Sequence, residues 1–141
     1  MMTIDRLNAE ANRLNRKLPQ GLWRFMDMKT NQPYLVVAAK TNRGNIYTIR
    51  IELDSFPESI TNAYIVKRLR DREGNDIPVS GEMHFLGYNR GMSKICHYGA
   101  LSWTPAVSLY KVYIKCRLWL EMYEQHLVTG KPIDYYLTHQ Q

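Results

Sequence analysis

The sequence predicts an α+β fold with an N-terminal helix, a four-stranded antiparallel meander, an irregular segment and a long C-terminal helix. Three observations support this order. Apolar residues recur at helical spacing near both ends, they alternate in strand fashion between those ends, and residues 77–95 follow neither period. With 141 residues, 45% of them apolar, the chain suits one domain spanning residues 1–141. We place its core at residues 3–130 and expect the tail, 131–141, either to pack back on the sheet or to extend away from it.

The first helix is expected over residues 4–17. Thr3 is a suitable N-cap, and Asp5 lies in the first turn, where a carboxylate favours the helix dipole. The apolar residues recur three and four positions apart and form one stripe: Ile4, Leu7, Ala11, Leu14 and Leu18. Four basic residues lie largely off that stripe, namely Arg6, Arg13, Arg16 and Lys17. They indicate either a solvated face or a docking surface for an acidic partner.

Four strands are expected next, over residues 22–28, 34–39, 46–53 and 63–69. The third has the clearest alternation: Tyr47, Ile49, Ile51 and Leu53 share one face, and Thr48, Arg50 and Glu52 share the other. This alternation indicates a sheet that is covered on one side. Turns are expected at residues 42–45, 55–59 and 71–76, which are rich in Gly, Asn, Asp, Ser and Pro. The meander therefore precedes the irregular segment.

A long amphipathic helix is expected from Thr104 to Gly130. Thr104 is a suitable N-cap, Pro105 suits the first helical position, and Gly130 suits a left-handed C-cap. The predicted core-facing stripe contains Leu109, Val112, Cys116, Trp119, Tyr123 and Leu127. This stripe must face the core.

Composition narrows the functional classes. The net charge of +6 favours acidic partners, although the basic run Lys67, Arg68, Arg70 and Arg72 is more typical of a solvated strand end than of a nucleic-acid site. There is no apolar run long enough to cross a bilayer and no signal-peptide pattern, so we expect a soluble cytoplasmic protein. The two cysteines and four histidines lack the spacing of a zinc site, and we expect neither a metal nor a cofactor.

The two cysteines have different sequence contexts. Cys116 belongs to the predicted helix stripe, where cysteine usually behaves as a small apolar residue, whereas Cys96 follows a long irregular segment containing three glycines. A structureless loop of this length in a small domain is usually functional. We therefore interpret both as reduced thiols and Cys96 as an active-site cysteine. A cysteine protease would also need a histidine oriented by Asn or Asp, and His126 and His139 have nothing evident to orient them.

The order of elements and several motifs resemble the ubiquitin-conjugating family. Ile95-Cys96 resembles the family's Ile-Cys or Leu-Cys, and Trp103-Thr104-Pro105 followed by Ser108-Leu109 resembles its Trp-Ser-Pro and following Thr-Leu. The third strand leading to Phe56-Pro57 is similar as well. The resemblance covers residues 3–130 and implies a fold like that of the ubiquitin-conjugating enzymes.

The C-terminal half resembles a bacterial branch of that family, found with antiphage signalling and ubiquitin-like modification operons. The residues that carry this likeness are His84, Ile95-Cys96-His97-Tyr98, Trp119-Leu120-Glu121-Met122-Tyr123-Glu124 and Thr129-Gly130-Lys131. The resemblance implies three kinds of partner. These are a ubiquitin-like protein or a target that supplies its own C-terminus, an activating enzyme or a substitute for one, and a signalling nucleotidyltransferase.

The chemistry implied is acyl transfer through a thioester on Cys96. His97 or His84 could raise the thiolate fraction of Cys96 if either ring approached as imidazolium. The family's His-Pro-Asn tripeptide, whose asparagine is linked to the oxyanion, is absent here. We take Asn89, seven residues before Cys96, as the first candidate for the oxyanion donor, with His84 or a backbone amide as alternatives. The absence of the tripeptide also keeps open an inert protein-binding adaptor, as in cysteine-less variants and RWD domains.

Overall fold

The protein has an α+β architecture with an antiparallel sheet and a long helix near the C-terminus. The computed structural model describes residues 2–97 and 99–139. The elements are α1 (Ile4–Lys17), β1 (Trp23–Met26), β2 (Tyr34–Lys40), β3 (Ile46–Glu52), β4 (Ala63–Ile65), β5 (Phe85–Asn89), β6 (Met92–Ile95), a 3₁₀ turn (Ala100–Ser102), α2 (Leu109–Thr129) and α3 (Ile133–His139). This confirms the predicted α+β class, with an antiparallel sheet and a long helix near the C-terminus.

The sheet has six strands in the order β1-β2-β3-β4-β6-β5, so the predicted count of four is wrong. The first four strands are neighbours in chain order, as expected of a meander. The two additional strands form a hairpin within the segment that we expected to be irregular. Arg90 and Gly91 connect them with φ of 53° and 76°, which suits a two-residue hairpin turn. A register shift between Phe85 and Gly87 interrupts the alternation, which explains why the sequence shows no period of two here.

The first helix has the predicted bounds and the predicted cap. The Thr3 hydroxyl accepts a hydrogen bond from the Arg6 amide at 3.1 Å. Leu14, on the predicted stripe, is fully buried, whereas Ile4 is 76% exposed and lies outside the core. Glu10 is buried although it is charged, because its carboxylate binds both Arg6 and the start of α2.

The long helix begins at Leu109 rather than after Thr104. The Ser108 hydroxyl accepts from the Lys111 amide at 3.1 Å, and the buried Glu10 carboxylate accepts from the Leu109 amide at 2.7 Å. The Thr104 hydroxyl instead accepts from the Ala106 amide within a turn. The predicted start is therefore wrong, because a carboxylate from α1 stabilises the later one.

The end of α2 and most of its buried stripe agree with the prediction. Gly130 has φ of 76°, and its amide donates to the His126 carbonyl. Leu127, at 38% exposure, does not face the core, because His126 is the buried residue of this last turn. The predicted positions that are buried are Leu109, Val112, Cys116, Trp119 and Tyr123.

The tail packs back on the protein, but mainly against α2 and not on the sheet, where a folded-back tail was expected. It forms α3, which contacts α2 and buries Ile133 completely. The Asp134 amide donates to the Glu82 carbonyl at 2.7 Å, so the start of α3 is also joined to the turn before β5. This contact brings the tail to the region of Cys96.

Candidate active site

Cys96 immediately follows β6 and extends the pairing of β6 to His84, the residue just before β5. Its amide donates to the His84 carbonyl at 2.8 Å, one step beyond the pair formed by Phe85 and Ile95. Ile95 is buried, whereas Cys96 is half-buried. The backbone of Cys96 is therefore fixed by the sheet at a place where the residue still reaches the surface.

Cys96 and His84 belong to one open cavity of about 220 Å³ between the sheet end, α2 and α3. Its walls are mostly apolar, with a few polar groups close to the cysteine, as is typical of binding pockets. The residues that line it are His84, Cys96, His97, Gly99, Lys115, Leu118, Trp119, Met122 and Leu137. The structure thus brings together three of the four site residues proposed from the sequence.

His84 is held by both its backbone and its ring. Its φ is 46°, in the left-handed region that non-glycine residues rarely adopt, and its carbonyl accepts from the Trp119 indole N–H at 2.9 Å. Its ring Nε2 lies 2.9 Å from the Asp134 carboxylate. Because a carboxylate only accepts, Nε2 carries the proton of this bond. No sequence signal indicates this pair, since Asp134 lies 50 residues further along the chain.

His97 lies in the same cavity but is not a source of positive charge. Burial lowers its pKa to about 4, against the weaker opposing effect of a hydrogen bond with the Ile95 backbone. Its ring Nε2 lies 3.3 Å from the Thr61 hydroxyl. The ring is therefore neutral at neutral pH, which corrects our expectation that an imidazolium at this position could raise the thiolate fraction of Cys96.

Asn89 is not close to Cys96, so its proposed role as oxyanion donor is wrong. It pairs with Met92 at the turn of the β5–β6 hairpin, four residues from Cys96 along the strand. At about 3.3 Å per residue, the separation is roughly 13 Å. Its side chain reaches the Tyr64 hydroxyl instead, and it lines a different cavity. The hairpin turn, which the sequence analysis missed, carries Asn89 away from the site.

The stretch that precedes α2, residues 103–107, is anchored from two sides. The Trp103 indole N–H donates to the Pro57 carbonyl at 3.0 Å, and its ring meets Phe56 edge to face. Arg6 donates to two carbonyl groups, of Pro105 at 2.6 Å and of Val107 at 2.9 Å. Residues far apart in sequence therefore hold this stretch in place before α2 begins.

The remaining candidates have structural surroundings. His126 is buried and its Nε2 accepts from the Arg72 amide, so it lies away from the cavity. The His139 side chain falls outside what the structure describes. Asp76 binds Arg68 at 2.6 Å and Arg70 at 2.7 Å, which neutralises part of the basic run.

Cys116 is completely buried, and no disulfide joins it to Cys96. Within residues 2–97 and 99–139, no group of three or more His, Cys, Asp or Glu side chains is placed to hold a metal ion. None of the helices in that same part of the chain is long and apolar enough to cross a membrane.

Comparisons with protein-family models, with curated proteins and with solved structures find no match to this chain. The likeness to ubiquitin-conjugating enzymes therefore depends on the motifs and on the order of the elements.

Proposed function

We propose that the protein is a bacterial ubiquitin-conjugating-like enzyme that carries an acyl group as a thioester on Cys96. The acyl group comes from a ubiquitin-like protein or from the C-terminus of a target. The observation that carries this proposal is the half-buried Cys96 beside an open cavity, with its backbone amide held by a hydrogen bond to the His84 carbonyl. Transfer between two thioesters is nearly balanced in energy, so an accessible, well-positioned thiol meets its main requirement.

The arrangement of elements supports the same proposal. An N-terminal helix, a meander, a cysteine segment and a long helix follow one another in the order that the resemblance implies. In this interpretation, the fold is a variant in which the β5–β6 hairpin replaces the irregular segment before the cysteine. Trp103 contacts Phe56 and Pro57, so two of the motifs that carry the resemblance meet in the fold.

The reaction requires a donor for the oxyanion that forms when the thioester carbonyl is attacked. Asn89 is too far from Cys96 to serve, and the Cys96 amide already donates to His84. Lys115 lines the cavity and has three N–H donors, so it replaces Asn89 as the candidate. We expect Lys115→Met to slow acyl transfer by on the order of 10²-fold, the usual loss when one such donor is removed.

The proposal places the enzyme in the cytoplasm, in antiphage defence, with the partners that the resemblance implies. These are an activating enzyme or its substitute, a ubiquitin-like protein or target C-terminus, and a signalling nucleotidyltransferase. The net charge of +6 suits acidic partner surfaces, and the association should weaken as salt rises.

An inert adaptor with the same fold is the second candidate, favoured by the position of Asn89 far from Cys96. The experiment that separates the two is reconstitution of the protein with the partners encoded beside it. The enzyme forms a covalent adduct that a thiol reductant removes, and Cys96→Ser either abolishes the adduct or converts it to an ester that resists the reductant. Cys116→Ala serves as the control and keeps the adduct. An adaptor binds its partners but forms no adduct, whether as the wild type or as Cys116→Ala.

A further inference from the structure

His84 and Asp134 are held together by a side-chain contact, and backbone hydrogen bonds fix each of them in place. The ring of His84 is bound to Asp134 Oδ1, and the amide of Asp134 is bound to the Glu82 carbonyl two residues before the histidine. The His84 carbonyl accepts from both Cys96 and Trp119. The turn before β5, α2 and α3 therefore combine to fix one imidazole in the cavity that Cys96 also lines.

The ion pair between His84 and Asp134 contributes little to the stability of the fold. The Asp134 side chain is 52% exposed and that of His84 is 25% exposed, and ion pairs with such exposure contribute little to folding. His84 also holds a left-handed backbone conformation, with φ of 46°. Strained residues of this kind concentrate at functional sites, where the surrounding structure determines a conformation that the residue would not prefer.

The geometry also fits proton transfer at Cys96. The side chains of His84 and Cys96 line the same cavity, and the Cys96 amide donates to the His84 carbonyl at 2.8 Å. Since Nε2 donates to Asp134, Nδ1 of a neutral ring is the nitrogen that can accept a proton. An acidic side chain that orients the histidine beside a nucleophile is the arrangement used in acyl-transfer enzymes on unrelated folds.

We propose that His84, oriented by Asp134, is the general base that accepts the proton of an amine attacking the acyl group on Cys96. This inference rests on the proposed function and names its acceptor class, a primary amine. The amine nitrogen forms a bond to the thioester carbonyl carbon, and its proton moves to Nδ1 of His84. The carbon–sulfur bond then breaks, its electron pair stays on Cys96 Sγ as thiolate, and the product is an amide. His84 returns the proton to the thiolate or to water. Asp134 is a positioning residue.

The test loads Cys96 of the full chain from a small glycyl thioester and follows discharge to lysine by intact mass across a range of pH. General bases contribute about 10²-fold to 10⁴-fold, so we expect His84→Gln to slow discharge by at least about 10²-fold. It should also remove the dependence on pH that arises because only a neutral imidazole accepts a proton. Asp134→Asn keeps the ring but relaxes its orientation, and we expect a loss on the order of tenfold to 10²-fold.

Asp76→Asn is the matched control, because Asp76 is an equally exposed carboxylate, 49% exposed, that pairs with two arginines outside the cavity. It should discharge at the wild-type rate. Circular dichroism and thermal unfolding of each variant show whether the fold is retained, and Asp134→Asn provides the second variant if His84→Gln fails to fold.

Three results overturn the inference: wild-type discharge and pH dependence in both site variants, faster release to water than to lysine in the wild type, or no acyl uptake by wild-type Cys96. The proposed function fails separately, when Cys96 accepts the small thioester but forms no adduct with its protein partners.

Discussion

The two cysteines show how one side chain acquires different properties from its surroundings. Cys116 lies in the middle of α2 with no exposed surface, and burial raises the pKa of its thiol well above the ordinary value. Cys96 lies at a strand end, half-buried, in a cavity that also contains His84, His97 and Lys115. The comparison teaches that position at the end of an element, where packing stops and polar groups gather, determines which thiol is available for chemistry.

The largest expected effect is in the rate of alkylation. Because Cys116 is exposed only when the protein opens, and the open fraction of a stable domain is about 10⁻³ or below, we expect Cys96 to react with iodoacetamide at least about 10³-fold faster. Intact mass under native conditions should show one added group, and a second after unfolding. Equal rates for the two thiols would contradict the claim that Cys96 is accessible and Cys116 is not.

The surroundings of Cys96 should also make the fold sensitive to acid. The pKa of His97 is about 4 in the folded state, against 6.5 when exposed, so only the unfolded chain takes up a proton between these values. The free energy of unfolding therefore has its full value above pH 6.5. It falls by up to about 3 kcal/mol as the pH is lowered towards 4. Urea unfolding measures this, and His97→Gln should flatten the curve in that window. An unchanged curve in the variant would contradict the lowered pKa.

Substitution by serine should lower the stability of the protein by different amounts at the two cysteines. Cys116→Ser places a hydroxyl in an apolar interior and should lower the free energy of unfolding by about 1–2 kcal/mol. Cys96→Ser should change it by about 0.5 kcal/mol or less, because the residue is only half-buried. Denaturant titration of both variants checks this. A larger loss for Cys96→Ser would indicate that Cys96 is a packing residue.

Trp119 connects the two regions, because it lies one turn after Cys116 on α2 and its indole N–H binds the carbonyl of His84. Trp119→Phe keeps an aromatic ring against Tyr123 but loses that hydrogen bond, so we expect a loss of about 1 kcal/mol. Trp103→Phe loses a similar bond to Pro57 and serves as the control for the substitution itself. If Trp119→Phe also slows acyl discharge while Trp103→Phe does not, the hydrogen bond from Trp119 to the His84 carbonyl contributes to acyl transfer.

The sequence predicted those features that neighbouring residues determine. The bounds of α1 follow from Thr3 and the apolar spacing, the faces of β3 follow from simple alternation, and the end of α2 follows from Gly130. Each of these depends on a few consecutive residues, so no tertiary contact was needed to anticipate them.

The features that the sequence missed depend on distant residues or on a local irregularity. The bulge before Gly87 concealed β5, and without that hairpin Asn89 was misplaced by the full length of a strand. Glu10, from the other end of the chain, sets the start of α2. Asp134 reaches His84 only because the tail folds back, and no spacing rule relates two residues so far apart.

The most direct test of the central claim is the intact mass of the protein purified together with the proteins encoded beside it. The account predicts a covalent polypeptide adduct that maps to Cys96, disappears on treatment with a thiol reductant, and persists in Cys116→Ala. An adduct on another residue, or a chain that stays unmodified while its partners are active, would contradict it.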